Sequence, residues 1–151
     1  MRGIVRRTGG QEAWRQVFSV TVGPVEGAAV FQLRGELDVE SVVQLNEAAE
    51  TALAARPAPG LVVVDCTSLT FCDSSGIGGL VRLYQRLSAA GGQLRLAAAP
   101  APVAKVFSLT GLDGVIPVHS STGQAIAATR GRRGGPADDR AEITALRGGT
   151  G

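Results

Sequence analysis

The sequence predicts an α/β layer structure, a single domain in which a mixed β-sheet of about four to five strands packs against about four α-helices. Two observations lead there. Short segments rich in β-branched residues alternate with longer segments whose apolar residues recur at helical spacing. The most apolar segment, Leu61 to Val64, is continuously hydrophobic, as expected of a central strand covered on both faces.

Taken in order, Val17 to Val22 and Ala28 to Arg34 read as two strands joined by a turn around Gly23-Pro24, with Phe31 and Leu33 alternating with Gln32 and Arg34. After Glu36-Leu37-Asp38, the residues Val42, Leu45, Ala49, Ala52 and Leu53 mark a first helix. Asp38 is its expected cap, and Pro57 and Pro59 end it. The Leu61 strand leads through Asp65–Cys72 into Asp73-Ser74-Ser75-Gly76, where a second helix begins. Ile77, Leu80, Val81, Tyr84 and Leu87 line it, and Gly91-Gly92 stops it. Gln93 to Ala97 is the next strand. Pro102 and Gly111 bracket a short third helix carrying Val103, Val106 and Phe107. Val115 to Val118 is expected as a short strand, near an edge because of Pro117. Ser121-Thr122-Gly123-Gln124 has the spacing of a capping box and opens a last helix through Ile126 to Ala128.

Composition bounds the function. Of 151 residues, 44% are hydrophobic and 19% charged, the balance of one ordinary globular domain. No run approaches the roughly 20 apolar residues of a membrane span, and the basic N-terminus has no apolar stretch behind it. The expectation is a cytoplasmic protein with no membrane partner.

The net charge of +2 averages over unlike parts. Residues 1–15 carry 4 arginines and residues 130–151 carry 5, against 4 acids in the two together, whereas residues 16–129 hold 6 basic and 9 acidic side chains. A folded part of net negative charge argues against direct nucleic-acid binding. We therefore expect a flexible N-terminal segment at 1–15, a folded domain at 16–129 and a disordered Gly/Arg-rich tail at 130–151. Cys66 and Cys72 do not form a C-x-x-C pair, and one histidine cannot complete a zinc set. Both read as small buried apolar residues, and neither a metal nor a cofactor is expected.

The chemistry concentrates at Asp73 to Gly79. Ser74 and Ser75 fall where the backbone enters a helix, so unpaired N–H groups and the positive end of the dipole lie beside them. Gly76, Gly78 and Gly79 follow directly, although a glycine inside a helix costs about 1 kcal/mol relative to alanine. Such a cost points to close approach, either by another chain or by the neighbouring sheet. On these residues alone, simple capping by Asp73 or Ser74 explains as much as any function.

The stretches LRGELD at Leu33 to Asp38, VVDCTSLTFCDSSGIGGL at Val63 to Leu80, and GGQLRLAAAPAPVAKVFSLTGLDGVIPV at Gly91 to Val118 resemble the STAS-domain family, specifically its anti-sigma factor antagonists. The resemblance implies that Ser74, the first serine of D-S-S-G, is phosphorylated by a partner that is both anti-sigma factor and serine kinase. Asp73, Ser75 and Gly76 match the rest of that motif, and Glu36 and Asp38 match acids at a strand end near the same surface. With Gly78, these are the expected partner-binding residues. The resemblance further implies partner switching: the unphosphorylated form frees a sigma factor for transcription, and a serine phosphatase reverses the modification. No catalytic residue is expected in this chain itself.

Three other readings compete. Ser74 or Ser75 with His119 and an acid would make a hydrolase triad, but G-x-S-x-G is absent and His119 reads as a surface residue in a strand-to-helix connection. A nucleotide site lacks both the P-loop signature and G-x-G-x-x-G, and the only lysine, Lys105, lies on another helix. The third is a STAS interaction module of a stress-signalling complex or a transporter. The transporter form is opposed by the lack of a membrane span.

Overall fold

The computed structural model describes residues 18–25 and 27–132, the side chains of residues 129–132 excepted. The expected N-terminal segment, Val17 included, and the tail from residue 133 onward lie outside the described residues. The elements run β1 (Ser19–Val25), β2 (Ala28–Leu37), α1 (Val42–Ala54), β3 (Leu61–Cys72), α2 (Ser74–Ala89), β4 (Gln93–Ala97), α3 (Ala101–Thr110), β5 (Val118–His119) and α4 (Thr122–Arg132). A short 3-10 turn, Leu112–Gly114, precedes β5.

One five-stranded sheet has the order β1-β2-β3-β4-β5. β1 is antiparallel to β2 and the remaining pairs are parallel, so the sheet is mixed as expected. On one face Phe31, Leu33, Val62, Val64, Leu94 and Leu96 form the main core with Leu45 of α1, Leu80, Leu83 and Leu87 of α2, and Phe107 of α3. On the other, Ala125 of α4 packs on a smaller cluster containing Ala28, Val30, Leu61, Val63 and Ala97. Among the described residues no helix is long and apolar enough to cross a membrane.

Four expectations need correction. The first hairpin turns at Gly27, whose φ of 87° suits glycine, and β1 runs straight through Gly23 and Pro24. Proline is tolerated there because β1 is an edge strand that can do without one N–H. β3 does not end at Val64 but continues to Cys72, paired with β2 as far as Leu37. Two register shifts along that pairing break the alternation by which a strand is recognised. The expected strand at Val115–Val118 is instead a buried Ile116 followed by two residues of strand, Val118–His119. His119 is therefore half-buried in β5, not a surface residue in the connection beyond it.

The helix boundaries follow their sequence signals closely. Gly111 terminates α3 with a left-handed φ of 80°. Ser121 Oγ accepts from the Gln124 N–H at 3.0 Å at the start of α4, while the Gln124 side chain turns to Ser120. α4 itself continues to Arg132, slightly past the expected end of the domain.

Candidate functional site

β3 pairs with β4 only from Leu61 to Asp65, and with β2 all the way to Cys72. The ends of β2 and β3 thus extend together beyond the rest of the sheet, and at their tips both chains enter helices. The two tips are tied directly. The Asp73 N–H donates to the Leu37 carbonyl at 3.2 Å. The Glu36–Asp38 segment and the start of α2, far apart in sequence, therefore form one surface.

At the α2 start, Asp73 is the cap: its Oδ1 accepts from the Ser75 N–H at 2.9 Å and the Gly76 N–H at 3.1 Å. The helix begins one residue later at Ser74, which is exposed. Among the described residues its hydroxyl makes no hydrogen bond, so it stands open to a reagent or a partner. Not all the N–H groups at this helix end are unpaired, contrary to what the sequence alone implied. Asp73 already holds two of them.

The two glycines of the first turns have different neighbours. A Cβ on Gly76 would lie 2.8 Å from the Leu37 carbonyl oxygen and 2.8 Å from Cys72 Sγ, so this glycine lets α2 seat on the tip of β2. Gly79 is pressed in the same way by Val42 of α1. Gly78 is half-buried and has none of the described residues within 4 Å of the Cβ position, so their packing does not explain a glycine there.

The opposing loop is equally built. Asp38 is not the cap of α1 that was expected, since that position falls to Ser41; instead its Oδ1 accepts from the N–H groups of Glu40 at 3.1 Å and Ser41 at 3.0 Å and closes the turn that leads into the helix. Ser41 is the described buried polar residue that sequence reasoning missed. Its hydroxyl donates to the Glu36 carbonyl at 2.6 Å and accepts from the Asp38 N–H at 2.9 Å, fixing the path between the two acids. The D-x-x-S spacing was the available signal. Phe71 was missed as well. It lies in register with Glu36 and is 46% exposed, and Val39 in the loop is 66% exposed.

The expected site residues thus divide by role. Glu36, Ser74, Ser75, Asp38 and Gly78 reach the surface to different degrees, Asp73 caps, and the buried Gly76 supports the seat of the helix. His119 is not brought to them. It lies opposite Ala97, itself opposite Asp65, and β3 then runs from Asp65 to Cys72, roughly 20 Å at about 3.3 Å per residue. A hydrolase triad through Ser74 and His119 is excluded by that separation. Lys105 lies on α3, and among the described residues no group of three or more His, Cys, Asp or Glu could hold a metal.

Both cysteines are buried. Burial, with a smaller contribution from the neighbouring aspartate, pushes each thiol up from 9.0 to about 12. Because the folded value is raised, the thiols are neutral and without effect on stability below pH 9, and favour unfolding as pH rises toward 12. In native protein at pH 8 we expect neither thiol to react with iodoacetamide on the time that suffices in denaturant. Mass spectrometry of the alkylated chain checks this.

The architecture, a mixed sheet whose β3 tip delivers D-S-S-G to a helix start, is matched by a known family. The family model for the STAS domain covers residues 20–125, and the chain belongs to that family. Within it, the chain is 28% identical over 109 residues to the anti-sigma-F factor antagonist RsfA of Mycobacterium tuberculosis, a match covering 72% of this chain and 85% of the relative. Its structure is similar to that of an anti-sigma factor antagonist from Mycobacterium paratuberculosis, with a TM-score of 0.68, 26% identity, and coverage of 75% of this chain and 94% of the other. It is also similar to the phosphorylated form of the Bacillus cell fate determinant SpoIIAA, with a TM-score of 0.58, 28% identity, and coverage of 74% and 99%.

Proposed function

We propose that this chain is a cytoplasmic anti-sigma factor antagonist switched by phosphorylation of Ser74. In its unmodified form it binds an anti-sigma factor that is also a serine kinase, through the surface made by the α2 start and the Glu36–Asp38 loop. The anti-sigma factor then releases its sigma factor, and transcription follows. The observation that carries the reading is the exposed, uncommitted Ser74 hydroxyl beside that loop, in a STAS domain whose relatives are named antagonists.

The switching step follows from charge. The Ser74 hydroxyl oxygen attacks the γ-phosphorus of ATP held with magnesium by the partner, its proton passes to a base on the partner, and the bond to the β,γ-bridging oxygen breaks to leave ADP. The new phosphoserine carries a charge of about −1.5 to −2 and faces the nucleotide that made it. Two like charges about 4 Å apart repel by about 4 kcal/mol at an effective dielectric of about 20, and about 1.4 kcal/mol is tenfold in affinity. The phosphoprotein therefore leaves. A serine phosphatase restores the free hydroxyl, and the chain is throughout a substrate and regulator, not a catalyst.

Gly78 supplies a test of the docking surface. Gly78→Ala should raise thermal stability by roughly 0.5–1 kcal/mol, since the added methyl meets no neighbour and helix propensity improves. The same change should weaken partner binding severalfold, because the methyl occupies space that the partner approaches. Calorimetric unfolding and a binding titration measure the two effects. Unchanged affinity in the stabilised variant would remove Gly78 from the contact.

A further inference from the structure

A second feature lies away from Ser74, on the sheet face that α4 covers only in part. α4 packs over β3, β4 and β5, and its cluster reaches Ala28 and Val30 of β2. Farther along the same face none of the described helices covers the sheet, and there it holds a cavity of about 170 Å³. Ser19 and Thr21 of β1, Gln32 and Arg34 of β2, and Asp65 and Thr67 of β3 line it. Thr21, Gln32 and Asp65 stand abreast in the ladder, as do Ser19, Arg34 and Ser68.

The hollow has a backbone cause. Between those two rows β2 advances from Gln32 to Arg34 while β3 advances from Asp65 to Ser68, so β3 carries an extra residue. A bulge of this kind bends its strand and increases the local twist. Asp65 fixes it: Oδ1 accepts from the Thr67 N–H at 3.0 Å and from the Thr67 hydroxyl at 2.6 Å. The carboxylate is thereby held at the cavity wall.

The charges in it are unsatisfied by each other. Among the described residues the Arg34 guanidinium makes neither a hydrogen bond nor an ion pair, and Asp65 bonds only to Thr67. One cationic and one anionic side chain thus line the same small hollow with no ion pair to any described residue. A simple anion would be drawn to Arg34 and repelled by Asp65, and a simple cation the reverse. A molecule bearing both charges satisfies both walls.

We propose that this cavity binds a small zwitterion of the α-amino acid class. Its carboxylate sits on the Arg34 guanidinium, and its ammonium group on Asp65. Gln32, Ser19 and Thr21 offer the remaining polar contacts. The volume corresponds to about five or six waters, which limits the ligand to a small side chain. The proposal does not depend on the Ser74 reading.

The test is a titration of the full-length, isotope-labelled chain followed by backbone amide NMR, with glycine, L-alanine and L-serine as probes and acetate and methylammonium as single-charge controls. Saturable shifts at Gln32 and Thr67 are expected with the amino acids, and at least about tenfold weaker effects with either control. Arg34→Gln and Asp65→Asn should each abolish the response. Arg34→Gln is the more telling, because it leaves the Asp65–Thr67 bonds intact. The absence of a saturable shift, equal response to acetate alone, or unchanged binding by Arg34→Gln would overturn the proposal.

Discussion

Ser74→Asp is expected to weaken binding to the anti-sigma factor by roughly 10- to 100-fold, while Ser74→Ala binds as tightly as the unmodified parent and cannot be released by ATP. Aspartate brings one negative charge where phosphate brings nearly two, and solvent screens part of the repulsion, so the full 4 kcal/mol of an unscreened pair is an upper bound. About 1.4–2.7 kcal/mol remains, which sets the range given. The fold should not register the change. Ser74 is exposed and Asp73 keeps its two backbone bonds, so the melting temperature should stay within the shift that about 0.5 kcal/mol produces. Calorimetry of binding and of unfolding on the same preparations separates the two effects. Equal affinity of Ser74→Asp and parent would contradict an electrostatic switch.

Gly76→Ala is expected to have the opposite profile and the largest effect on stability. Its methyl would meet the Leu37 carbonyl at 2.8 Å, and that oxygen already accepts the Asp73 N–H. Cys72 Sγ blocks the other side at the same distance and is itself buried. Neither neighbour is the far end of a flexible side chain, so α2 must shift off the β2 tip. Overpacking of this kind costs about 1–3 kcal/mol, which lowers the melting temperature by several degrees per kcal/mol. A variant melting with the parent would show that the helix seat is looser than these distances indicate. Set beside Gly78→Ala, which should stabilise, the pair separates a glycine that the fold requires from one that the packing of the described residues does not.

That separation was not legible in the sequence. Gly76, Gly78 and Gly79 read there as one cluster with one rationale, because what approaches each depends on the placement of Leu37 and Val42, residues far off along the chain. The helices were legible because their start and stop signals are local: Pro102 and Gly111 around α3, and Asp73 ahead of α2. β3 was half hidden, since its bulges place Leu69 and Cys72 in the core without a strict alternation. Pro24 misled in the other direction. Proline commonly marks a turn, and only the position of β1 at the sheet edge makes it harmless in a strand. The acids and Ser74 could be named from the motif, but their union in one surface rests on the bond between Asp73 and Leu37. Phe71 had no sequence signal, because a phenylalanine is expected inside wherever it stands.

The central claim is that Ser74 is the side chain modified in the cell. Phosphopeptide mapping of the full-length chain, isolated from its host across growth conditions, tests it most directly. The account predicts a single phosphate on the peptide that spans Ser74, with none on the corresponding peptide of Ser74→Ala. Phosphate on Ser75 or any other residue, or an unmodified chain under every condition, would contradict it.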